Sequence, residues 1–322
     1  MTSVSRAQAV NFRLAVNNLS RRLPAGAYAA AAYVGLQDTA PRDALLGLHA
    51  RVAACEPSAW EQPRLIQTYS PRRAVYVLPA EDFGVFTMGR LPRDPAARQA
   101  LEDRAERACR ELAGQPRPAP GLPGHRDVCA TGRFAVRWTT SALHVWEHPR
   151  PVIDSEAARI ELCRRHLHAF GPTTPAAFAW WAGVSARDAK RSFDLLASEL
   201  LPVRYEGTSA WILAADKTPL LTAEPMRGVR LLVASDLRLF GQDRTGLFVG
   251  PGLRQHTLLH DTFHPNGLVI DGRVAGAWGR RAGRVTIKAF GPLPAGVRSA
   301  IGDEAESMPI PGTAVTAALS EH

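Results

Sequence analysis

Between residues 155 and 214 the chain spells an order of elements that few folds accommodate: SEAARIELCRRHLHAFG, PTTPAAFAWWAGV, SARDAKRSFDLLASELLP, then VRYEGTSAWILA. Ser155 and Gly171 bracket a first helix, and Thr173 or Thr174, with Pro175 at the first turn, opens a second that Gly183 stops. Ser185 caps a third helix, with Ala189, Phe193, Leu196 and Leu200 along one face. Two short strands around Glu206-Gly207 follow as a β-hairpin. Helix, tight turn, helix, glycine turn, helix and hairpin is the order of a winged-helix module, whose third helix meets DNA. The first turns of that helix carry Arg187, Lys190 and Arg191. A helical scaffold hairpin without a nucleic-acid partner is the plainer alternative.

A chain of 322 residues exceeds one small core, so two or three modules are expected. Residues 1–124 form a helical or winged-helix module with one strand-like run, Ala74 to Leu78, and a helix that Asp94 caps and Leu101, Ala105, Ala108 and Leu112 stripe. The proline and glycine of QPRPAPGLPGHR read as a linker. Residues 125–222 hold the helix and hairpin pattern. Residues 223–322 turn to β texture: LVIDGRVAGAW and RRAGRVTIKAF form a three-stranded meander with turns at Asp271-Gly272 and Ala282-Gly283. The expected class is α+β, mainly helical.

Charge narrows the function. The net +9 comes from 39 basic and 30 acidic residues, and only Lys190, Lys217 and Lys288 are lysines. Arginine's planar fork suits phosphate and groove contacts, although a GC-rich coding bias accounts for part of the excess. Arg280, Arg281 and Arg284 crowd the second hairpin tip, which fits a minor groove; a solvated tip is the alternative. No apolar run is long enough to span a membrane and the N-terminus lacks a signal-peptide core, so a cytoplasmic protein is expected.

Chemistry is sparse. Cys55, Cys109, Cys129 and Cys163 form no CxxC pair and signal neither zinc nor disulfides. His256, His260 and His264 have helical spacing, but Pro265 and Asn266-Gly267 break the helix, so no metal is assigned. The chain holds no P-loop, no dinucleotide fingerprint, no HExxH and no GxSxG, and GPGLRQH lacks the strand-to-helix context of a phosphate loop. An enzyme of this sequence works without an organic cofactor.

One segment asks for more. In GLQDTAPRDALLGLHAR, Pro41 favours extended backbone before it, so Gln37 and Thr39 face one way and Asp38 the other. Ala44, Leu45, Leu48 and Val52 mark the buried stripe of the next helix, which Thr39 or Asp38 caps. Gln37 has no structural duty in this reading.

These segments, with SEAARIELCRRHLHAFGPTTPAAFAWWAG, VRLLVASDLRLFGQDR and LVIDGRVAGAWGRR, resemble the AlkZ-like winged-helix DNA glycosylases over most of the chain. The resemblance implies tandem winged-helix modules in a C-shaped monomer around double-stranded DNA, with a hairpin in the minor groove. It implies hydrolysis of the N-glycosidic bond of alkylated purines, bulky N7-guanine adducts and crosslinks among them, and a role in self-resistance to a DNA-alkylating natural product. The family's signature is Gln, an apolar residue, then Gln or Asp. Gln37 matches its first position, Asp38 stands in place of the apolar residue and Thr39 in place of the last; these three are the catalytic candidates. Of a family Arg-Gly-Thr segment only Arg72 carries over. The expected DNA contacts are Arg72, Arg187, Lys190, Arg191, Arg244, Arg280, Arg281 and Arg284. A noncatalytic DNA-binding regulator on the same fold is the competing reading, and a protein-binding scaffold a third.

Overall fold

A computed structural model of the chain describes residues 1–122, 124–139, 142–236 and 266–321. Strand β1 (Thr2–Val4) leads into helix α1 (Arg6–Val16), where Ser5 and Gln8 form a reciprocal capping box that satisfies two otherwise orphaned N–H groups. Both elements pack far along the chain. Thr2 pairs with Val203 in a parallel ladder, and Arg13 donates to the carbonyls of Gly171 and Pro172.

Next come α2 (Tyr28–Ala31), β2 (Leu36–Gln37), α3 (Asp43–Arg51), β3 (Leu65–Tyr69) and β4 (Val75–Pro79). The strands form an antiparallel sheet in the order β2, β4, β3. Ala44, Leu45, Leu48 and Val52 are buried, as their helical spacing requires. After α4 (Phe83–Met88), Asp94 caps α5 (Pro95–Leu112) by accepting the Ala97 N–H, and Leu101, Ala105, Ala108 and Leu112 are its buried residues.

The proline and glycine run after α5 is not a loose linker. Strand β5 (Arg117–Pro118) pairs with β7 (Leu143–Glu147), which also pairs with β6 (Phe134–Trp138) beyond the short helix α6 (His125–Val128). Ala119 and Leu122 join one apolar cluster with Tyr69, Leu101, Phe134 and Val145. Side chains on both sides of residue 124 therefore share a core, and Pro120 lies in the tight turn Ala119–Gly121 within it.

Helices α7 (Ser155–Phe170), α8 (Pro175–Ala182) and α9 (Ala186–Leu195) precede the hairpin of β8 (Leu200–Tyr205) and β9 (Thr208–Leu213). Thr174 and Ser185 cap α8 and α9. The cap of α7 is Asp154 rather than Ser155; its carboxylate accepts the Glu156 and Ala157 N–H groups, a stronger acceptor than a hydroxyl at the positive end of a helix. Helix α9 is shorter than its apolar spacing suggests, so Leu200 begins a strand. Trp181, Phe178, Phe170 and Phe193 fill the interior together with Tyr76 and Leu78 of β4.

After α10 (Lys217–Thr222) the chain builds a five-stranded sheet from β10 (Val229–Leu232), β11 (Asn266–Ile270), β12 (Arg273–Arg281), β13 (Arg284–Ala289) and β14 (Thr316–Glu321). The expected meander, β11 to β13, is its centre. Strand β10 adds antiparallel to β11, and β14 adds parallel to β13 after the helix Ala295–Glu306. Asp271 and Gly272 both have positive φ, the requirement of a tight two-residue hairpin turn. At Gly276 an added Cβ would sit 2.4 Å from the Lys288 carbonyl oxygen, so the close pairing of β12 and β13 depends on glycine.

This sheet docks on α3. Leu46 packs with Val229, Leu231 and Trp278, and the Arg51 guanidinium grips both oxygens of Asp236 at 2.8 and 2.9 Å. The helix that follows Thr39 thus carries the sheet whose β12–β13 hairpin bears the arginines.

Candidate active site and nucleic-acid interface

Gln37 lies opposite Tyr76 in the β2–β4 ladder, and the Asp38 N–H extends that ladder by donating to the Val75 carbonyl at 2.7 Å. Side chains therefore alternate. Gln37 is half-buried, Asp38 fully buried and Thr39 exposed. Gln37 Nε2 donates to Thr39 Oγ1 at 2.6 Å. The Gln37 Oε1 atom is buried and has no hydrogen-bond partner among the described residues. With Nε2 on the hydroxyl, the acceptor end of the amide faces inward; turned over, the amide would bring Oε1 beside Thr39 on the exposed face.

Asp38 points the other way. Its Oδ1 accepts the Ala44 N–H at 3.0 Å and so serves an orphan donor in the first turn of α3. Arg42, at the cap position itself, has a left-handed backbone and no side-chain cap, which is why a residue across the turn takes that duty. Burial pushes the Asp38 carboxyl up to about 7, the charge of Asp43 adds to the rise, and the N–H bonds of α3 oppose it. The Asp38 carbonyl accepts Trp138 Nε1 at 2.7 Å, and the Trp138 N–H donates to Gln67 Oε1 at 3.1 Å. Strand β2 is held through Asp38 on both its backbone and its side chain.

Asp43 opens α3. Burial and the charge of Asp236 raise its carboxyl, to about 6, against the pull of Arg280. An arginine of the β12–β13 tip is therefore close enough to act on the helix beside Gln37. Arg280, Arg281 and Arg284 are exposed, with Arg281 paired to Arg284 in register, and Trp278 Nε1 anchors the hairpin to the Leu232 carbonyl.

The turn Pro71–Arg73 joins β3 to β4 at the end of the sheet where Thr39 leaves β2. Arg72 and Arg73 both have φ of 57°, each costing about 1–2 kcal/mol for a residue with a Cβ. Arg72 lays its guanidinium over the Trp180 ring, 4.9 Å from the centroid, while Arg73 pairs with Asp127 at 2.8 Å.

On α9, Arg187 is exposed. Lys190 pairs with Asp194 at 3.0 Å and Arg191 with Glu156 at 3.2 Å, so two of the three cations expected to face phosphates also answer neighbouring carboxylates. Arg244 and the His256, His260, His264 trio lie outside the described residues. Among the described residues no group of three or more His, Cys, Asp or Glu is arranged to hold a metal ion, and no helix is long and apolar enough to cross a membrane.

Four contributors escape a reading of the sequence. Trp138 holds the Asp38 carbonyl, and Gln67 in turn holds the Trp138 N–H, from strands that lie further along the chain. Trp60 takes Arg42 and Arg137 against its ring at 6.0 and 5.5 Å. Trp180 is the one with a visible signal: adjacent residues of a helix lie about 100° apart around its axis, so the rings of Trp180 and Trp181 cannot both face one core.

Comparison with known proteins agrees with this architecture. The structure of Streptomyces sahachiroi DNA glycosylase AlkZ superposes with a TM-score of 0.78 at 18% identity, covering 99% of this chain and 100% of that one, a likeness of fold. No curated protein matches. A family model, DNA glycosylase AlkZ-like, matches residues 30–309, and the chain belongs to the AlkZ-like DNA glycosylase family.

Proposed function

We propose that the chain is a monofunctional DNA glycosylase that hydrolyses the N-glycosidic bond of alkylated purines, N7-alkylguanines above all, in duplex DNA. The observation that carries this reading is the Gln37–Thr39 face, a carbonyl acceptor beside a hydroxyl on a strand braced through Asp38 and Trp138.

An N7-alkylated purine carries a positive charge before the enzyme acts, so it leaves without a general acid. The C1′–N9 bond breaks with its electron pair passing to the base, which becomes neutral. Water adds at C1′, and its proton goes to solvent. The residues then have two tasks, to place the water and to stabilise positive charge developing on the sugar. Gln37 Oε1, once the amide turns over to face the DNA, suits both, as acceptor and as the negative end of a dipole. Thr39 Oγ1 orients Gln37 and shares the water. Asp38, turned inward, positions the strand and does not touch the reacting atoms.

The DNA arrives, in this reading, on tandem winged-helix modules in a C-shaped monomer, with Arg280, Arg281 and Arg284 in the minor groove and Arg187, Lys190 and Arg191 toward phosphates. A site on an open strand accepts adducts too large for a base-flipping pocket, which is the substrate class that self-resistance to an alkylating natural product would present. The test is an oligonucleotide duplex with a single N7-alkylguanine, offered in several adduct sizes. Release of the modified base with an abasic product is expected; no release at any size refutes the proposal.

A further inference from the structure

Trp180 is 43% exposed, on a helix whose next residue, Trp181, is fully buried. Its ring is covered on one side by Arg72, a residue from a different module of the fold. The contact is not a chance meeting of long side chains, because the backbone around it is clamped. Buried Arg90 donates through Nε to the Ala182 carbonyl at the end of α8 and through Nη1 to the Tyr69 carbonyl at the end of β3. Gly183 closes α8 in left-handed geometry, with the site of a Cβ 3.8 Å from the Arg72 nitrogen. Chain then passes through Ser185 directly to Arg187 on the first turn of α9. The Arg72 turn is therefore held against the end of α8, from which the chain runs on into α9.

We infer that Trp180 is a DNA-contacting residue, and that the Arg72–Trp180 stack forms a preset surface for the sugar–phosphate backbone flanking the lesion. The inference rests on the reading of the chain as a glycosylase of duplex DNA. Its chemistry is that of a mixed ligand, apolar at deoxyribose and anionic at phosphate. The exposed part of the indole takes the sugar, and the guanidinium, fixed in plane by the ring, presents its charge to the phosphate. Holding the guanidinium before DNA arrives removes an ordering cost from binding. A scaffold role alone would not call for an indole with nearly half its surface in solvent.

The experiment measures fluorescence anisotropy of a duplex carrying a tetrahydrofuran abasic analogue, alongside single-turnover base release from an N7-methylguanine duplex. The proteins are wild type, Trp180→Ala, Arg72→Ala, the double variant, and Val152→Ala as a control that removes a fully exposed apolar side chain elsewhere. Circular dichroism confirms that each is folded, and Trp180→Phe serves as a milder replacement should Ala not fold. Trp180→Ala is expected to weaken duplex binding about tenfold. Arg72→Ala should do likewise and lower the salt slope by about one. The double variant should lose less than the product of the two single losses, since each side chain needs the other. Wild-type binding with Trp180→Ala, or Trp180→Phe in its place, within about twofold of it overturns this inference and leaves the glycosylase reading standing. A wild-type protein that neither binds the duplex nor releases base overturns both.

Discussion

Replacing Asp38 with Asn separates the two duties of that side chain, capping α3 and carrying a proton. The Asn carbonyl can still accept the Ala44 N–H that Oδ1 accepts now. Its amide nitrogen takes the place of Oδ2, which has no hydrogen-bond partner among the described residues, so neither protein gains a bond there. What changes is titration. Burial raises the folded carboxyl from 3.8 to about 7, so between those values the folded chain holds a proton that the unfolded chain has released. Stability conferred by the neutral acid is then lost as pH rises from about 4 to about 7, and is level above that. Three units of pKa correspond to about 4 kcal/mol, an upper bound once water reaches the charged form. Asp38→Asn lacks this loss. The variant is expected to match wild type below about pH 4 and to exceed it near pH 8 by about 2–4 kcal/mol. Asp43, raised in the same direction, titrates in both proteins, so its contribution largely cancels in the difference. Urea unfolding of the two proteins across this range, read by tryptophan fluorescence, makes the measurement. A difference between variant and wild type that does not grow with pH refutes the burial argument.

Three further outcomes follow from the geometry. Arg51→Ala leaves Asp236 charged and buried, with both side chains of the present pair at 3–5% exposure; a loss of about 3–5 kcal/mol is expected in urea unfolding. Gly276→Ala drives a Cβ against the Lys288 carbonyl oxygen and the Ala289 Cα, both backbone, so β12 and β13 must part at a cost of about 1–3 kcal/mol, seen as a lower melting temperature. Arg280→Ala and Arg284→Ala, which remove exposed charges at the hairpin tip, should each lower the salt slope of duplex binding by about one and change little in melting temperature.

Much of the local structure is legible in the sequence because its causes are local. Asp94, Thr174 and Ser185 cap where their spacing to the apolar stripes says they should, and Asp271-Gly272 turns a hairpin because both positions need positive φ. The alternation of Gln37, Asp38 and Thr39 follows from Pro41 and extended backbone. What stays hidden is long-range. The parallel pairings of β1 with β8 and of β13 with β14 have no turn chemistry to announce them. The Arg90 clamp and the Arg51–Asp236 pair look in sequence like ordinary surface charge. Nothing in the sequence places Glu156 beside Arg191. The linker reading of 115–126 fails because proline and glycine mark a bend, and whether a bend is packed depends on Ala119 and Leu122 meeting a core built elsewhere. Asp38 is legible as a cap, but its depth depends on Trp138, a hundred residues on.

In the proposed reaction, Gln37 is the residue on which base release depends. Single-turnover release of base from a duplex with one N7-alkylguanine, compared between wild type and Gln37→Ala, tests it most directly. If Gln37 Oε1 positions the water and stabilises charge at C1′, the variant's rate falls by about a hundredfold or more while duplex affinity and melting temperature stay close to wild type. A Gln37→Ala protein that releases the base at the wild-type rate would contradict the assignment.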